Sequence, residues 1–485
     1  MTADTRHPPG LRTLFFTEMW ERWSFYGMRA LLVPFMIAAG SGLGFEAKEA
    51  AAIYGLYLAI VYASALPGGW IGDRLLGAKR AVWWGGVIIS LGHLMLGFHG
   101  RTIFLAGLLV IAIASGLLKS NMSALVGQLY PEGGQRRDAG FTIFYFGINV
   151  GAFFAPLVSG WLRDSASWGW KWAFASATAG MFLGLIQFQL SHKRLEGVGE
   201  RIVHAGQNVR RDWMIFSFAL VLVAAFAVLC AVGAITLDAV WLAHAISVAI
   251  LVAAGLYYAW LLFFAGLDGD ERARIWLTLV FFFTSALFFA GFEQSGSSFN
   301  VFADQHTNRA MFGSVVPAEW FQAINPLFVM MFAPVLAWLW QALDRRGFGL
   351  SLTGKMGWAM LLLAAGFLMA VWMARHSLSV GKVSPLWLVG VYFLLTMGEL
   401  CLSPVGLSAF TKLSPARYTA QMMGIWFLGT SLGDVLSGLI AGHVSGDAMQ
   451  DMPAIFMKVV WISAITGGVL LLFAKPIQKL ARGVE

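Results

Sequence analysis

Across 485 residues the chain is 59% hydrophobic and only 12% charged, with a formal net charge of +8. That composition excludes an ordinary soluble domain. Its two cysteines, Cys230 and Cys401, both lie in apolar runs. They read as buried thiols, not as a disulfide framework or a thiolate metal site.

Taken in chain order, the apolar residues form about fourteen blocks of roughly 20 residues, the length that crosses a hydrocarbon core. The blocks lie near 13–40, 49–72, 81–98, 102–128, 139–162, 170–191, 213–235, 239–266, 275–303, 318–343, 356–374, 385–411, 418–443 and 455–475. The expected class is an all-α polytopic membrane protein. Met1–Leu11 reads as a short cytoplasmic tail, because charges interrupt the first block and no cleavable signal pattern precedes it. With both ends cytoplasmic and the blocks alternating, inside loops hold 22 of the 33 Lys and Arg and outside loops 8. This positive-inside bias accounts for the basic balance without a nucleic-acid partner.

Polar stretches at 191–211 and at "LDGDERAR" (Leu267–Arg274) set off the seventh and eighth blocks from six before and six after. The expected organisation is a six-helix bundle over 1–195, a linker with two extra helices over 196–270, and a second six-helix bundle over 271–485. The halves echo one another. Asp73, in "GDRLLGAKR", and Asp344, in "LDRRGFG", are 271 residues apart, as are Arg22 and Glu293; Lys119 and Glu399 are 280 apart. Related halves around a midplane site are the plan of many secondary transporters.

A charge at bilayer depth costs several kcal/mol unless it pairs or meets water, which makes each one a functional candidate. The first block carries "TEMWERWSFYGMR" (Thr17–Arg29), where Glu21, Arg22 and Arg29 all fall within roughly 60° of Glu18 on a helix. Lys119, Glu293 and Glu399 are each isolated in an apolar block, so each needs a counter-charge from another helix. Exchangeable pairs between such groups make a gate; the competing reading is a set of fixed interhelix bridges. Asn149 and Asn325 offer neutral donors and acceptors suited to a zwitterionic ligand, or to interhelix hydrogen bonding. Asp434 is a further acid at middle depth, either paired or facing a vestibule. His93 and His244 read as neutral packing residues, and aromatics such as Tyr26, Tyr62, Phe289 and Trp426 as packing by default. No clustered nucleophile and base, metal set or nucleotide loop accompanies them, so an enzyme is not expected.

These residues bring the chain close to a known family. It resembles the proton-dependent oligopeptide transporters of the major facilitator superfamily over nearly its full length. The likeness rests on ExxER (Glu18, Glu21, Arg22) followed by "FYG", on "DAGFTIFYFGINVGA" (Asp138–Ala152), and on "FEQSGSSFNVFADQ" (Phe292–Gln305). It continues through "INPLFV" (Ile324–Val329), "GELCLSPVGLS" (Gly398–Ser408) and "QMMGIWFLGTSLG" (Gln421–Gly433). The resemblance implies the major facilitator fold, with two six-helix bundles plus a central two-helix insertion typical of bacterial members. It implies a symporter of the bacterial inner membrane that imports di- and tripeptides by alternating access. The proton gradient would drive it, with no cofactor and the monomer as functional unit.

Carried onto this sequence, the resemblance has Arg29 and Lys119 receive the peptide carboxylate and Glu399, Asn149 and Asn325 engage its amino end. Tyr26, Tyr62 and Trp426 would line side-chain pockets. Glu293 would bind protons and pair with Arg29 at the outer gate, Lys119 and Glu399 would pair at the inner gate, and Glu18, Glu21 and Arg22 would couple protonation to binding. Three positions depart from the family pattern: Phe25 before Tyr26, Ser120 after Lys119, and Phe289 in the seventh-segment motif. The runner-up substrate is another anionic or zwitterionic solute, such as nitrate or a modified amino acid.

Overall fold

The computed structural model describes residues 7–98, 100–131, 134–201, 208–231, 238–311, 313–444 and 450–482. Its helices are α1 (Pro9–Ile37), α2 (Ala47–Ala63), α3 (Ala65–Ile71), α4 (Ala78–Leu96), α5 (Arg101–Gln128) and α6 (Gly134–Asp164). They continue with α7 (Gly169–Ser191), α8 (Val209–Ala231), α9 (Ala239–Phe264), α10 (Gly269–Phe292), α11 (Ser298–His306) and α12 (Ile324–Arg345). The last are α13 (Leu352–Val380), α14 (Leu386–Leu413), α15 (Thr419–Ala441), α16 (Met452–Leu472) and the short α17 (Ala474–Gln478). A small hairpin pairs β1 (Ala310–Met311) with β2 (Ser314–Val315).

Twelve helical stretches among the described residues are long and apolar enough to cross a membrane; α2 runs on through α3, and α10 through α11. α1 and α4 fall outside that criterion because of their charges. α1 carries Arg12, Glu18, Glu21, Arg22 and Arg29, and α4 opens on Lys79 and Arg80. Counting both gives the expected fourteen. The described residues divide into two compact units. The first holds α1, the end of α2 and α3–α8; the second holds the rest of α2 and α9–α17.

In the first unit, α1 is held by close backbone approach. α6 presents Gly147 and Gly151, and α7 presents Gly180 and Gly184, each pair one helical turn apart. A Cβ at Gly147 would stand 2.8 Å from the Phe15 ring, one at Gly151 would overlap the Met19 carbonyl, and one at Gly180 would overlap the Trp23 indole. Small residues in this spacing let helices pack where lipid supplies no hydrophobic drive. Hydrogen bonds complete the attachment. Trp23 Nε1 donates to the Ser176 carbonyl at 3.2 Å, Thr17 Oγ1 to Gln187 Oε1 at 2.9 Å, and Ser24 Oγ lies 2.6 Å from His93 Nε2. The aromatic side of α1 is thereby spent on α6 and α7.

A second crossing is tighter still. Gly68 on α3 and Gly116 on α5 meet so closely that a Cβ at either would overlap the other helix's backbone or that of Ser64. Ser64 Oγ donates to the Ala112 carbonyl at 2.8 Å, and Asn121 Nδ2 to the Gly68 carbonyl at 3.0 Å. α3 then widens into a π-helical turn, Gly72–Leu76, which carries Asp73 and Arg74. Asn121 occupies the space that a side chain at Gly72 would need. Arg74 reaches Asp212 at 3.6 Å, in the first turn of α8.

The second unit is built on a continuous aromatic and aliphatic core from α9–α11 and α13–α16. Phe299, Phe367 and Phe456 form a ring triad with centroids 5.2–5.7 Å apart. α10 starts with a capping box in which the Glu271 amide donates to Asp268 Oδ1 at 2.7 Å and the Asp268 amide to Glu271 Oε2 at 3.2 Å. α9 packs on α15 and on the first part of α2 through Ala243, with Ala52, Leu56, Ala59 and Val435.

Gly151→Ala adds one methyl group against the Met19 carbonyl and is expected to cost about 2–3 kcal/mol. Gly255→Ala, on α9 with nothing within 4 Å, is expected to be neutral or stabilising. Thermal unfolding of the two purified variants in detergent checks the contrast.

Candidate functional site

The polar side chains of α1 form a cluster within the first unit. Glu18, Glu21, Arg22 and Arg29 are 3%, 1%, 6% and 7% exposed. Arg22 Nε donates to Glu18 Oε1 at 2.8 Å, one turn back along the helix, and lies 2.9 Å from Glu21 Oε2. Two carboxylates thus share one guanidinium. Glu18 Oε2 and Glu21 Oε2 are buried and accept no hydrogen bond among the described residues. Lys119, on α5, lies within electrostatic reach of Glu21 and supplies the balancing charge. The α3–α5 crossing places Lys119 three residues beyond Gly116, with its Nζ 4.4 Å from the Tyr62 ring centroid and 5.3 Å from that of Phe25. Phe25 also meets Arg22, at 5.7 Å, so its ring serves as an aromatic face for two cations.

Two turns beyond Arg22, the Arg29 guanidinium lies 5.6 Å from the Tyr26 ring centroid. α5 runs unbroken through Ser120, whose hydroxyl donates to the Gly116 carbonyl at 2.8 Å. Asn149 on α6 is buried and spends its amide donor on the Tyr145 carbonyl of its own helix, at 2.9 Å.

The second unit carries the acids. Glu293 sits where α10 stops and a 3₁₀ turn, Glu293–Gly296, leads into α11. Tyr54 of α2 donates to Glu293 Oε2 at 3.4 Å. The break is stitched in place by neighbouring helices. Gln294 Nε2 donates to the Ser437 carbonyl of α15 at 2.9 Å, and Tyr392 of α14 donates to the Ser295 carbonyl at 3.0 Å. Non-helical backbone at membrane depth survives only where protein satisfies it in this way. Glu399, half-buried on α14, accepts from Asn325 Nδ2 of α12 at 2.9 Å, and the same amide donates to Thr396 Oγ1 at 3.0 Å. Trp426 is buried on α15 against Gly406 and the Phe410 ring of α14, 5.3 Å between centroids. Asp434 is fully buried where α15 crosses α2, its carbonyl 2.7 Å from the place a Cβ on Gly55 would take.

The structure therefore brings Glu18, Glu21, Arg22, Lys119 and Tyr62 into one cluster, with Tyr26 and Arg29 next along α1. It brings Asn325 to Glu399. Arg29 and Lys119 belong to the first unit, Glu293 and Glu399 to the second. Tyr54 and Thr396 were not singled out from sequence; a hydroxyl in an apolar helix was the sole signal. No group of three or more His, Cys, Asp or Glu able to hold a metal occurs among the described residues.

Residues 79–462 match the POT family. The chain is 40% identical to the peptide transporter YePEPT of Yersinia enterocolitica, over 99% of this chain and 96% of that protein. It is 33% identical to the di-/tripeptide transporter of Lactococcus lactis subsp. cremoris, over 99% and 97%. Its fold matches a crystal structure of a peptide transporter POT in complex with sulfate, at TM-score 0.89 and 35% identity, over 98% of this chain and 96% of the other. The chain belongs to the POT family, the proton-dependent oligopeptide transporters of the major facilitator superfamily, and is an integral membrane carrier, not an enzyme.

Proposed function

We propose that the chain is a proton-coupled symporter that imports di- and tripeptides across a bacterial inner membrane, with both termini cytoplasmic. The observation that supports it is the shared guanidinium of Arg22, with Lys119 as the balancing charge. Two carboxylates against two cations make a neutral set. An incoming peptide carboxylate that engages Lys119 and Arg29 withdraws that balance, and Glu21 answers by taking up a proton. Binding of an anion is thereby tied to binding of a proton, which is the requirement for symport.

The amino end of the peptide falls to Glu399, which Asn325 orients, with Asn149 toward the backbone and Tyr26, Tyr62 and Trp426 toward the side chains. Glu293 is the second proton-binding group. Ionised, it pairs with Arg29 to close the outer gate; protonated, it releases Arg29 to the substrate. Lys119 and Glu399 act in the same manner at the inner gate. The relatives named as peptide and di-/tripeptide transporters support peptides as the substrate class.

Proteoliposomes with an inward proton gradient are expected to accumulate labelled dialanine, and absence of accumulation for every di- and tripeptide tried would overturn the proposal. Glu293→Gln is expected to retain peptide exchange and lose gradient-driven accumulation; unchanged accumulation counts against its proton role. Asn325→Ala removes a hydrogen bond to a charged group, worth about 1.5–3 kcal/mol. It should raise the dialanine KM roughly tenfold or more, and an unaltered KM would separate Asn325 from substrate binding.

A further inference from the structure

The second unit contains a cavity of about 520 Å³ that the transport reading does not use, between the end of α15 and the start of α16. Leu436, Leu439 and Ile440 from α15, with Ile455 from α16, make its walls. Its polar groups are His443, just beyond the end of α15, Asp451, at the N-cap of α16, and Lys458. Lys458 is six residues into α16, about 9 Å along the helix from Met452. It makes no ion pair or hydrogen bond among the described residues. Asp451 stands at an N-cap yet does not cap; its carboxylate accepts nothing from its own helix. His443 Nδ1 donates to the Leu439 carbonyl at 2.8 Å, which in the neutral imidazole form makes Nε2 the acceptor.

We infer that this groove binds an aminophospholipid of the phosphatidylethanolamine type. The set consists of one cation, one carboxylate and one neutral acceptor over apolar walls. A lipid phosphate matches Lys458, because a long lysine stem can cover apolar surface while its ammonium meets the headgroup. A primary ammonium matches Asp451 and Nε2 of His443, because it alone among common headgroup cations brings N–H donors. A choline headgroup brings no donor, and a glycerol headgroup brings no cation. The acyl chains follow the leucine and isoleucine walls, as the bilayer around the exposed face already requires. A peptide zwitterion has the same end charges but nothing to cover those walls.

The test uses the full chain in nanodiscs and a phosphatidylethanolamine bearing a diazirine on one acyl chain, with crosslinked peptides mapped by mass spectrometry. Labelling of the α15–α16 segment is expected, with unlabelled phosphatidylethanolamine competing roughly fivefold better than phosphatidylcholine or phosphatidylglycerol, the ratio that one net hydrogen bond commands. Lys458→Gln should weaken labelling and competition for all three lipids alike, since each carries the phosphate, whereas Asp451→Asn should abolish the preference for phosphatidylethanolamine, and Leu439→Trp should block labelling by filling the groove. Thermal unfolding and dialanine uptake of the exposed-site variants, expected unchanged, control for folding. Equal competition by all three lipids, labelling indifferent to both charge variants, or displacement by dialanine would each overturn the assignment.

Discussion

Everything in the candidate site depends on the cost of holding charge inside a bilayer. Arg22 meets that cost by lying between Glu18 and Glu21, and the surplus carboxylate draws on Lys119 from another helix. Among these four groups the charges balance, two against two. Any change in one group, by protonation or by a ligand, must be answered by another. That constraint explains why α1 needs such firm seating. A helix carrying this many ionisable groups gains little from lipid, and its position rests on the glycine contacts of α6 and α7.

The two units handle their polar residues differently. In the first, the cations rest on aromatic faces: Lys119 on Tyr62 and Phe25, Arg29 on Tyr26. Such contacts are broad in geometry. In the second, the acids are held by directional hydrogen bonds, Tyr54 to Glu293 and Asn325 to Glu399. The acids are aimed, whereas the cations are cushioned.

Much of this was legible in the sequence because lipid penalises polarity so heavily. The α1 stripe, Glu293 and Glu399 announced themselves as charges in apolar blocks, and block length gave the all-α membrane-spanning class. Partners across helices did not show, because spacing along one helix says nothing about which residue faces it from another. Asn325 therefore read equally as ligand contact or as hydrogen-bond glue, and Tyr54 did not stand out at all. "LDGDERAR" read as a polar break, while its capping box needed the geometry of Asp268 and Glu271.

The Gly68–Gly116 crossing has a mechanical consequence. With no side chain between the two backbones, and with Ser64 and Asn121 tying them at either end, α3 and α5 can neither slide nor roll past one another. They must travel as one rigid strut. Lys119 rides on α5 three residues past Gly116, so its backbone is carried wherever the strut goes. Swinging of the lysine stem adds to that motion a reach of one side chain, independent of the strut.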